Sequence, residues 1–373
     1  MLRVMDGFYR GRRVLITGHT GFKGSWMCLL LARAGAKVLG YSLDPPSSPA
    51  LFGLTRLDGD PPAGLASLHA DVLDLPGLTR AVADFDPEIV IHMAAQSLVR
   101  PSYTDPAGTF AANVMGTVNL LEACRRNPPA SGQRRAVVVV TSDKCYENRE
   151  WVHGYRETDR LGGHDPYSAS KGCAELAAQS FARSFFAEQT FATHGTIVST
   201  VRAGNVIGGG DFATDRLVPD MARAFATGER VHIRRPQAVR PWQHVLEPVA
   251  GYLLLARRML EEGHRFAGPW NFGPSSRDVR TVGEVAARFA EAWGPGAELD
   301  LTRGPDQGPH EAGLLTLDCT KAHALLGWRP RLDLDAALLW CAGWYRIWAE
   351  GVRSGGGDLR ALCFTRIDEF FDE

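Results

Sequence analysis

A short apolar strand that runs directly into three evenly spaced glycines is the feature that most constrains how this chain can fold. The strand, RVLITG, leads to Gly18, Gly21 and Gly24, and a helix begins within the glycine turn. Glycines allow a tight turn and close approach of a ligand, while the unpaired N–H groups of the helix start can bind a pyrophosphate. The turn therefore predicts a dinucleotide site, although its G-x-x-G-x-x-G spacing differs from the usual G-x-G-x-x-G. Besides the three glycines, the turn contains three further residues that are predicted to contact the cofactor, namely Thr20, Phe22 and Lys23.

Short β-branched runs alternate with longer helical stretches over the first half of the chain. The runs KVLGYSL, EIVIHMA and RRAVVVVTS are apolar almost throughout and are separated by helical segments. Such alternation is typical of a parallel sheet with helices on both faces. The predicted fold is α/β, a Rossmann-like doubly wound parallel sheet with a smaller, mixed α/β substrate domain.

The length of 373 residues favours two lobes, because single hydrophobic cores usually stop growing below this size. Glycines and arginines cluster after residue 203, where the composition changes. We expect residues 1–202 to form an NAD-binding Rossmann domain, to which 240–275 return. The substrate domain is then expected at 203–239 and 276–373.

Charge and cysteine content exclude several classes of function. The chain has 41 basic and 42 acidic residues, so it has no general basic field for nucleic acid, and a small anion is the expected ligand. Its seven cysteines lack any C-x-x-C pair, which favours free buried thiols and predicts no metal site. No segment approaches the roughly 20 apolar residues of a membrane helix, and the N-terminus lacks a signal-peptide core, so we expect a cytoplasmic protein.

The choice of cofactor depends on Asp44, in GYSLDPP, which best matches the acidic residue expected about 20 positions after the glycine turn. A carboxylate there would bind the adenosine ribose and repel a 2′-phosphate, so NAD is favoured over NADP. Alternatively, Asp44 is a turn residue before two prolines. Residues after the third and fourth strands are predicted cofactor contacts, and equally suit loop or core positions: Asp71, Val72, Ala94, Ala95 and Gln96.

Two clusters of polar residues are candidates for catalysis. Tyr167 and Lys171 lie four residues apart on one helix face, where the ammonium and a bound nicotinamide would lower the tyrosine pKa and favour proton abstraction. Ser142, Asp143 and Lys144 follow the fifth strand, at the edge where parallel sheets bind ligands. In isolation the first cluster is more often a surface pair, and the second could be a capped turn with a solvated ion pair.

The combination of these motifs resembles the extended short-chain dehydrogenase/reductases. Within that family, the strings GHTGFKGSW, TSDKCYENREW, DPYSASKGCAEL, VRAGNVIGGGDF and RPWQHVLEP are similar to sugar-nucleotide 4,6-dehydratases that act on CDP-glucose. The resemblance implies that Tyr167 takes the 4-hydroxyl proton while NAD accepts hydride from carbon 4. Water is then lost across carbons 5 and 6, and the hydride returns to carbon 6. Ser142 would hydrogen-bond the 4-oxygen, and Asp143 would protonate the departing 6-hydroxyl.

Lys144 departs from the pattern of the dTDP-glucose enzymes, which carry a glutamate there as the base at carbon 5. A lysine base must be neutral, which requires a pKa lowered by burial or by a neighbouring cation such as Lys171. Alternatively, Lys144 stays charged and stabilises the enolate while water or Tyr167 moves the proton.

The resemblance also implies how the substrate is held, with Asn205, Arg216 and Arg240 at its pyrophosphate, where an arginine fork can bond two oxygens. It further implies a homodimer or homotetramer. Three further arginines are expected to lie on a solvated strand edge, namely Arg230, Arg234 and Arg235. His310 and Glu311 are expected either in the sugar pocket or in a surface turn.

Two rival functions follow from the same residues. One is a dehydratase or 4-epimerase that acts on another nucleotide sugar, since an epimerase also needs the Tyr–Lys pair. The other is a redox-sensing module that holds NAD without turnover. The products formed from sugar nucleotides distinguish all three.

Overall fold

A computed structural model describes residues 7–130, 132–302, 313–354 and 357–372 of the chain. The strands, in chain order, are β1 (Arg13–Thr17), β2 (Lys37–Ser42), β3 (Leu65–His69), β4 (Ile89–His92), β5 (Arg135–Val140), β6 (Thr196–Ala203), β7 (Asn205–Ile207), β8 (Arg230–His232), β9 (Val239–His244), β10 (Gly268–Phe272), β11 (Val279–Thr281) and β12 (Glu298–Asp300).

The α-helices separate these strands and cover the sheets. In chain order they are α1 (Phe22–Arg33), α2 (Leu51–Leu54), α3 (Leu75–Phe85), α4 (Val99–Thr104), α5 (Pro106–Phe110), α6 (Gly116–Arg126), α7 (Pro166–Ser184), α8 (Phe191–His194), α9 (Leu217–Thr227), α10 (Leu246–Glu262), α11 (Val282–Trp293), α12 (Leu334–Ser354) and α13 (Leu359–Asp372).

The largest sheet is parallel and has seven strands in the order β10-β6-β5-β4-β1-β2-β3. Every residue of β4, β5 and β6 is buried, because helices pack on both faces of the sheet. The chain direction across the sheet reverses between β1 and β4, and open α/β sheets bind ligands at the carboxyl edge beside such a switch point. The predicted Rossmann-like α/β fold is confirmed.

Two small sheets lie beyond the carboxyl edge of the large one. The chain leaves β6 at Ala203 and enters β7, which pairs with β9, while β9 also pairs with β11 and β8 pairs with β12. The chain returns to the large sheet at β10, which pairs with β6. The division into 1–202 with 240–275 against the remaining residues stays a prediction.

Buried aromatic side chains join the first helix to the C-terminal half. Trp26 in α1 donates a hydrogen bond to the carbonyl of Gly209 (3.0 Å), and Tyr345 in α12 donates to the carbonyl of Asp211 (2.6 Å). The seven cysteines are free, and six of them are buried. Within the described ranges, no helix combines the length and apolarity needed to cross a membrane.

Candidate active site

A cleft of about 1550 Å³ runs along the carboxyl edge of the large sheet, between it and the small sheets. The predicted cofactor, catalytic and substrate residues all line this cleft: Gly18, Thr20, Gly21, Phe22, Lys23, Gly24, Asp44, Asp71, Val72, Ala94, Ala95, Gln96, Ser142, Asp143, Lys144, Tyr167, Lys171, Asn205, Arg216 and Arg240. The individual roles assigned to these residues stay predictions.

The glycine turn between β1 and α1 is packed too closely to hold side chains. Gly18 has a φ of +76°, and a Cβ there would lie 2.6 Å from the backbone nitrogen of Ala94. A Cβ at Gly24 would collide with the carbonyl oxygen of Gly18. Gly21 precedes the helix and has no side chain to cap it, so the first N–H groups of α1, at the wall of the cleft, lack a side-chain acceptor. This geometry fits a pyrophosphate at the helix N-terminus.

Asp44 lies at the rim of the cleft, two residues beyond Ser42, the last residue of β2. Its side chain is 86% exposed, and Oδ1 lies 3.0 Å from Nδ1 of His69. The carboxylate is therefore accessible to a ribose. Asp71, in contrast, uses Oδ1 to accept a hydrogen bond from the backbone N–H of Leu73 (2.9 Å), as a loop residue does.

The segment after β4 is held in place by hydrogen bonds to neighbouring elements. The N–H of Gln96 donates to Asn113 Oδ1 (2.8 Å), and Asn113 Nδ2 donates to Ser170 Oγ in α7 (2.8 Å). The N–H of Ala94 donates to Oγ1 of Thr17, the last residue of β1 (3.2 Å). These bonds fix the segment that lines the predicted cofactor site in position relative to α7.

Helix α7 begins at Pro166, where Asp165 accepts hydrogen bonds from the N–H (2.9 Å) and the hydroxyl (2.6 Å) of Ser168. Tyr167 and Lys171 follow in the first turns, and both are buried, so they are not a surface pair. Lys171 Nζ donates to the carbonyl of Val140 (3.3 Å), at the end of β5.

Burial raises the pKa of Tyr167 to about 12, and a hydrogen bond with Ser142 opposes this rise. Without a cofactor, desolvation of the phenolate outweighs the local charges, and the predicted lowering of the tyrosine pKa, which includes the charge of a bound nicotinamide, stays a prediction. Burial lowers the pKa of Lys171 to about 8, opposed by Cys145 and Glu175.

Ser142, Asp143 and Lys144 form a tight turn at the end of β5, with a 3₁₀ turn over Asp143–Cys145. Ser142 Oγ accepts from the N–H of Lys144 (3.2 Å) and donates to Asp143 Oδ1 (2.9 Å), while Lys144 Nζ lies 3.5 Å from the same oxygen. The turn is thus capped as the alternative interpretation expected. It is not a solvated ion pair, however, since Asp143 is only 1% exposed. Among the described residues, Asp143 Oδ2 is buried and has no hydrogen-bond partner.

Positive charge is concentrated where a diphosphate is expected. Burial lowers the pKa of Lys23 to about 8, and the charges of Arg216, Lys171 and Lys144 lower it further, so these three cations lie within electrostatic range of Lys23. Arg216 Nη1 lies 2.7 Å from Asp211 Oδ2. An anionic ligand would relieve the mutual repulsion of these cations.

Substrate-side polar groups project from β7 and β9. Asn205 and Trp242 are paired in register, and in the described chain Asn205 Oδ1 and Trp242 Nε1 are both buried without a hydrogen-bond partner. Arg240, two residues earlier in β9, donates to the carbonyl of Val239 (2.9 Å). Trp242 was not predicted as a site residue from the sequence.

An ion-pair bridge across the cleft was also missed. Asp215 Oδ1 lies 3.4 Å from Arg100 Nη1 in α4 and 3.1 Å from Arg234 Nη1. Arg230 is exposed on β8 as predicted, but Arg234 and Arg235 line the cleft, because β8 ends before them at His232.

A buried ion pair between Glu175 and Arg202 completes the surroundings of the site. Glu175 lies four residues after Lys171 in α7, which is the same interval that separates Lys171 from Tyr167. This interval of four could have indicated from the sequence that Glu175 lies on the same helix face. His310 and Glu311 lie outside the described residues. Within the described ranges, no group of three or more His, Cys, Asp or Glu residues could hold a metal ion.

Known proteins resemble this chain over almost its whole length. The pattern of the GDP-mannose 4,6 dehydratase family matches residues 15–338. A CDP-glucose 4,6-dehydratase of Salmonella typhimurium is 50% identical over 345 residues, which cover 92% of this chain and 93% of the relative. A dTDP-glucose 4,6-dehydratase of Streptomyces griseus is 28% identical, with 92% of this chain and 98% of the relative covered.

Among solved structures, the NAD complex of the UDP-glucose 4-epimerase of Thermus thermophilus superimposes with a TM-score of 0.71. The two sequences are 25% identical, and the match covers 90% of this chain and 99% of the epimerase. The chain belongs to the GDP-mannose 4,6 dehydratase family, within the extended short-chain dehydrogenase/reductases.

Proposed function

We propose that the protein converts CDP-D-glucose to CDP-4-dehydro-6-deoxy-D-glucose with loss of water, as an NAD-dependent hydro-lyase. The reaction class follows from the family, and its substrate is a nucleotide sugar. The choice of CDP-glucose is supported by the Salmonella typhimurium relative, which is named for that substrate and is 50% identical to this chain.

NAD fits the residues of the cleft. The glycine turn gives a pyrophosphate access to the N-terminus of α1, and the accessible carboxylate of Asp44 suits a ribose without a 2′-phosphate. When bound, NAD supplies the chemistry of accepting a hydride from carbon 4 of the sugar and returning it to carbon 6.

The residues of this chain handle the protons of the reaction. Tyr167 accepts the proton of the 4-hydroxyl, and the buried ammonium of Lys171 stabilises the phenolate that the protein by itself disfavours. Ser142 orients the 4-oxygen. The 4-ketone acidifies the hydrogen on carbon 5, so that elimination needs a group that removes this proton and a proton donor that converts the departing 6-hydroxyl to water.

The buried, unpartnered oxygen of Asp143 is the observation that carries this proposal. An epimerase needs the tyrosine and lysine, but it has no hydroxyl to expel and so no use for a carboxylic acid at this place. Asp143 Oδ1 is bonded to Ser142 and lies beside Lys144, which leaves Oδ2 free to donate a proton to the departing 6-hydroxyl.

Lys144 acts at carbon 5 in one of two ways, which depend on its protonation. Its Nζ lies 3.5 Å from Asp143 Oδ1, and its charge acts on the neighbouring Lys23. A neutral Lys144 would take the proton from carbon 5, whereas a charged Lys144 would stabilise the enolate.

The test is incubation with NAD and, separately, with CDP-, dTDP-, UDP- and GDP-glucose, followed by mass and proton NMR analysis of the products. Loss of one water and a new methyl signal from CDP-glucose alone is the expected result. A 4-epimer of unchanged mass would instead identify an epimerase, and NAD binding without any product would identify a sensing module. The matched control is Asp143→Asn, which keeps the shape of the side chain but has no acidic proton, and should form no dehydrated product.

Self-association and location complete the proposal. We propose a homodimer or homotetramer, supported by large apolar side chains exposed on neighbouring helices α5 and α7, namely Phe110 and Leu176. Light scattering of the purified protein measures the mass directly, and a monomer at micromolar concentration would contradict this. A cytoplasmic location also stays a prediction.

A further inference from the structure

The residues that follow β5 are tethered at both ends to one buried ion pair. We define the catalytic segment as residues 141–146, which carry Ser142, Asp143 and Lys144. At its start, Thr141 Oγ1 donates to Glu175 Oε1 (2.5 Å). At its end, Tyr146 Oη accepts from Arg202 Nη1 (2.7 Å), and the Arg202 guanidinium lies 4.7 Å from the centre of the tyrosine ring.

The ion pair itself is fully buried and fully bonded. Arg202 Nε and Nη2 donate to the two oxygens of Glu175 at 3.0 and 2.8 Å, and Thr200 Oγ1 donates to Glu175 Oε2 (2.7 Å). Burial acts to raise the pKa of Glu175, but the hydrogen bonds and charge of Arg202 hold it below its usual value, so the carboxylate is ionised. Such a pair tolerates little displacement, because each lost bond leaves a buried charge without compensation in a dry environment.

The pair connects the two halves of the catalytic machinery. Glu175 is on α7, four residues after Lys171 and eight after Tyr167, and therefore on the same helix face. Arg202 is near the end of β6, the strand beside β5. A shift of the catalytic segment relative to Tyr167 would have to break the bonds to Glu175 or to Arg202.

We propose that Glu175 and Arg202 are positioning residues, which hold Asp143 and Lys144 of the catalytic segment in register with Tyr167. This inference rests on the proposed function, in which Tyr167 acts at carbon 4 while Asp143 and Lys144 act at carbons 5 and 6 of the same sugar. The two groups lie on different elements, and the relative geometry sets the rate of elimination.

The test cuts one tether and leaves the ion pair intact. Thr141→Val removes the hydroxyl that bonds Glu175 and keeps the side-chain shape. The matched control is Thr200→Val, which removes a hydroxyl bonded to the same carboxylate but lies in β6, outside the catalytic segment. We expect Thr141→Val to lower kcat for CDP-glucose by about 10- to 100-fold with KM nearly unchanged, as for a misplaced catalytic group. Thr141→Ser should restore turnover, and Thr200→Val should retain it.

Amide hydrogen exchange of the protein without ligands gives a second readout. Exchange in residues 141–146 should accelerate in Thr141→Val and not in Thr200→Val, although both lose one buried hydrogen bond. Equal kcat values in the two valine variants, whether both normal or both reduced, would overturn the positioning role. Failure of the unmodified protein to dehydrate any sugar nucleotide would instead overturn the proposed function, while the exchange comparison would still decide whether Glu175 holds the segment.

Discussion

The two edges of the seven-stranded sheet each bury an arginine, and the partners of these arginines differ in kind. At the amino edge, Arg135 begins β5 and donates to the carbonyls of Pro87 (2.8 Å) and Asn127, and its Nη2 lies 3.1 Å from Asp86. At the carboxyl edge, Arg202 bonds mainly side chains, those of Glu175 and Tyr146, and donates to one backbone carbonyl, that of Glu157 (3.2 Å).

The contrast extends to the other polar groups at the two edges. Arg135 donates to two backbone carbonyls, which need donors, and pairs with the Asp86 carboxylate, so all three of these partners belong to the fold. At the carboxyl edge, oxygens of Asp143 and Asn205 are buried and have no partner among the described residues. Polar groups that the fold does not use are available to a ligand, and the difference separates residues that stabilise from residues that react.

The largest effect is expected at the carboxyl edge, from Tyr167→Phe. The substitution removes the phenolic base but keeps the buried ring, so kcat should fall by roughly 100- to 10,000-fold while the unfolding free energy changes little. Steady-state kinetics and urea denaturation measure the two quantities. Turnover near that of the unmodified protein would remove Tyr167 from the mechanism. It would also contradict the conclusion that the reacting groups lie at the carboxyl edge.

The next largest effect is expected from Lys144→Met. Hydride transfer from carbon 4 needs Tyr167, Lys171 and Ser142, so it should persist, while elimination slows by about 100-fold or more. Reduced cofactor should then accumulate, and exchange of the carbon 5 hydrogen with deuterated water should slow sharply. Loss of cofactor reduction in a single turnover would assign Lys144 to the first step, and rapid exchange at carbon 5 would assign the proton to another group.

A buried carboxylate away from both edges should affect stability alone, and its effect should depend on pH. Glu247 in α10 accepts from the N–H groups of Arg331 (2.9 Å) and Leu332 (2.7 Å), and burial raises its pKa from 4.5 to about 7. The folded state binds this proton more tightly than the unfolded state does. The resulting contribution to the free energy of unfolding is therefore complete below pH 4.5 and is lost as the pH rises to 7, by about 3 kcal/mol at most.

The corresponding variant is Glu247→Gln, which keeps an oxygen for both N–H groups and cannot ionise. It should be more stable than the unmodified protein at pH 8 and similar to it at pH 5, as measured by urea denaturation. A variant that is less stable at both pH values would show that the carboxylate makes a bond that the amide cannot replace.

At the amino edge, Arg135→Lys should affect stability and leave the reaction alone. A lysine cannot reach all the acceptors of the guanidinium, and a buried carbonyl left without a donor costs about 1–3 kcal/mol. Below the unfolding transition, kcat should stay within about twofold of the original value. A large fall in kcat in folded protein would mean that both edges of the sheet contribute to catalysis.

The smallest effect is expected at the rim of the cleft, from Asp44→Ala. Loss of an accessible ribose acceptor should weaken NAD binding by about 10-fold and reduce discrimination against NADP. Isothermal titration with each cofactor measures both changes. Unchanged affinity for NAD and NADP would show that Asp44 is only a turn residue. The cofactor contacts would then be limited to the other predicted residues of the cleft.

Features encoded over short distances in the sequence were the ones that could be predicted. The glycine turn and the Tyr167–Lys171 spacing are local, and strand alternation is a property of consecutive residues. The Asp215 bridge to Arg100 joins residues that are 115 positions apart in the sequence, and no local pattern indicates it. Burial raises the pKa of Tyr167, and this burial depends on the whole fold, which no local pattern indicates.

The pairing of β10 with β6 has a consequence for synthesis of the chain. When a ribosome has released only the first 203 residues, β6 has β5 on one side and no neighbour on the other, since its partner begins at residue 268. An exposed parallel edge strand is a site of mispairing with other chains. The nascent protein must therefore shield β6 while more than sixty further residues emerge, and chains that stop before β10 should aggregate rather than accumulate as an isolated nucleotide-binding lobe.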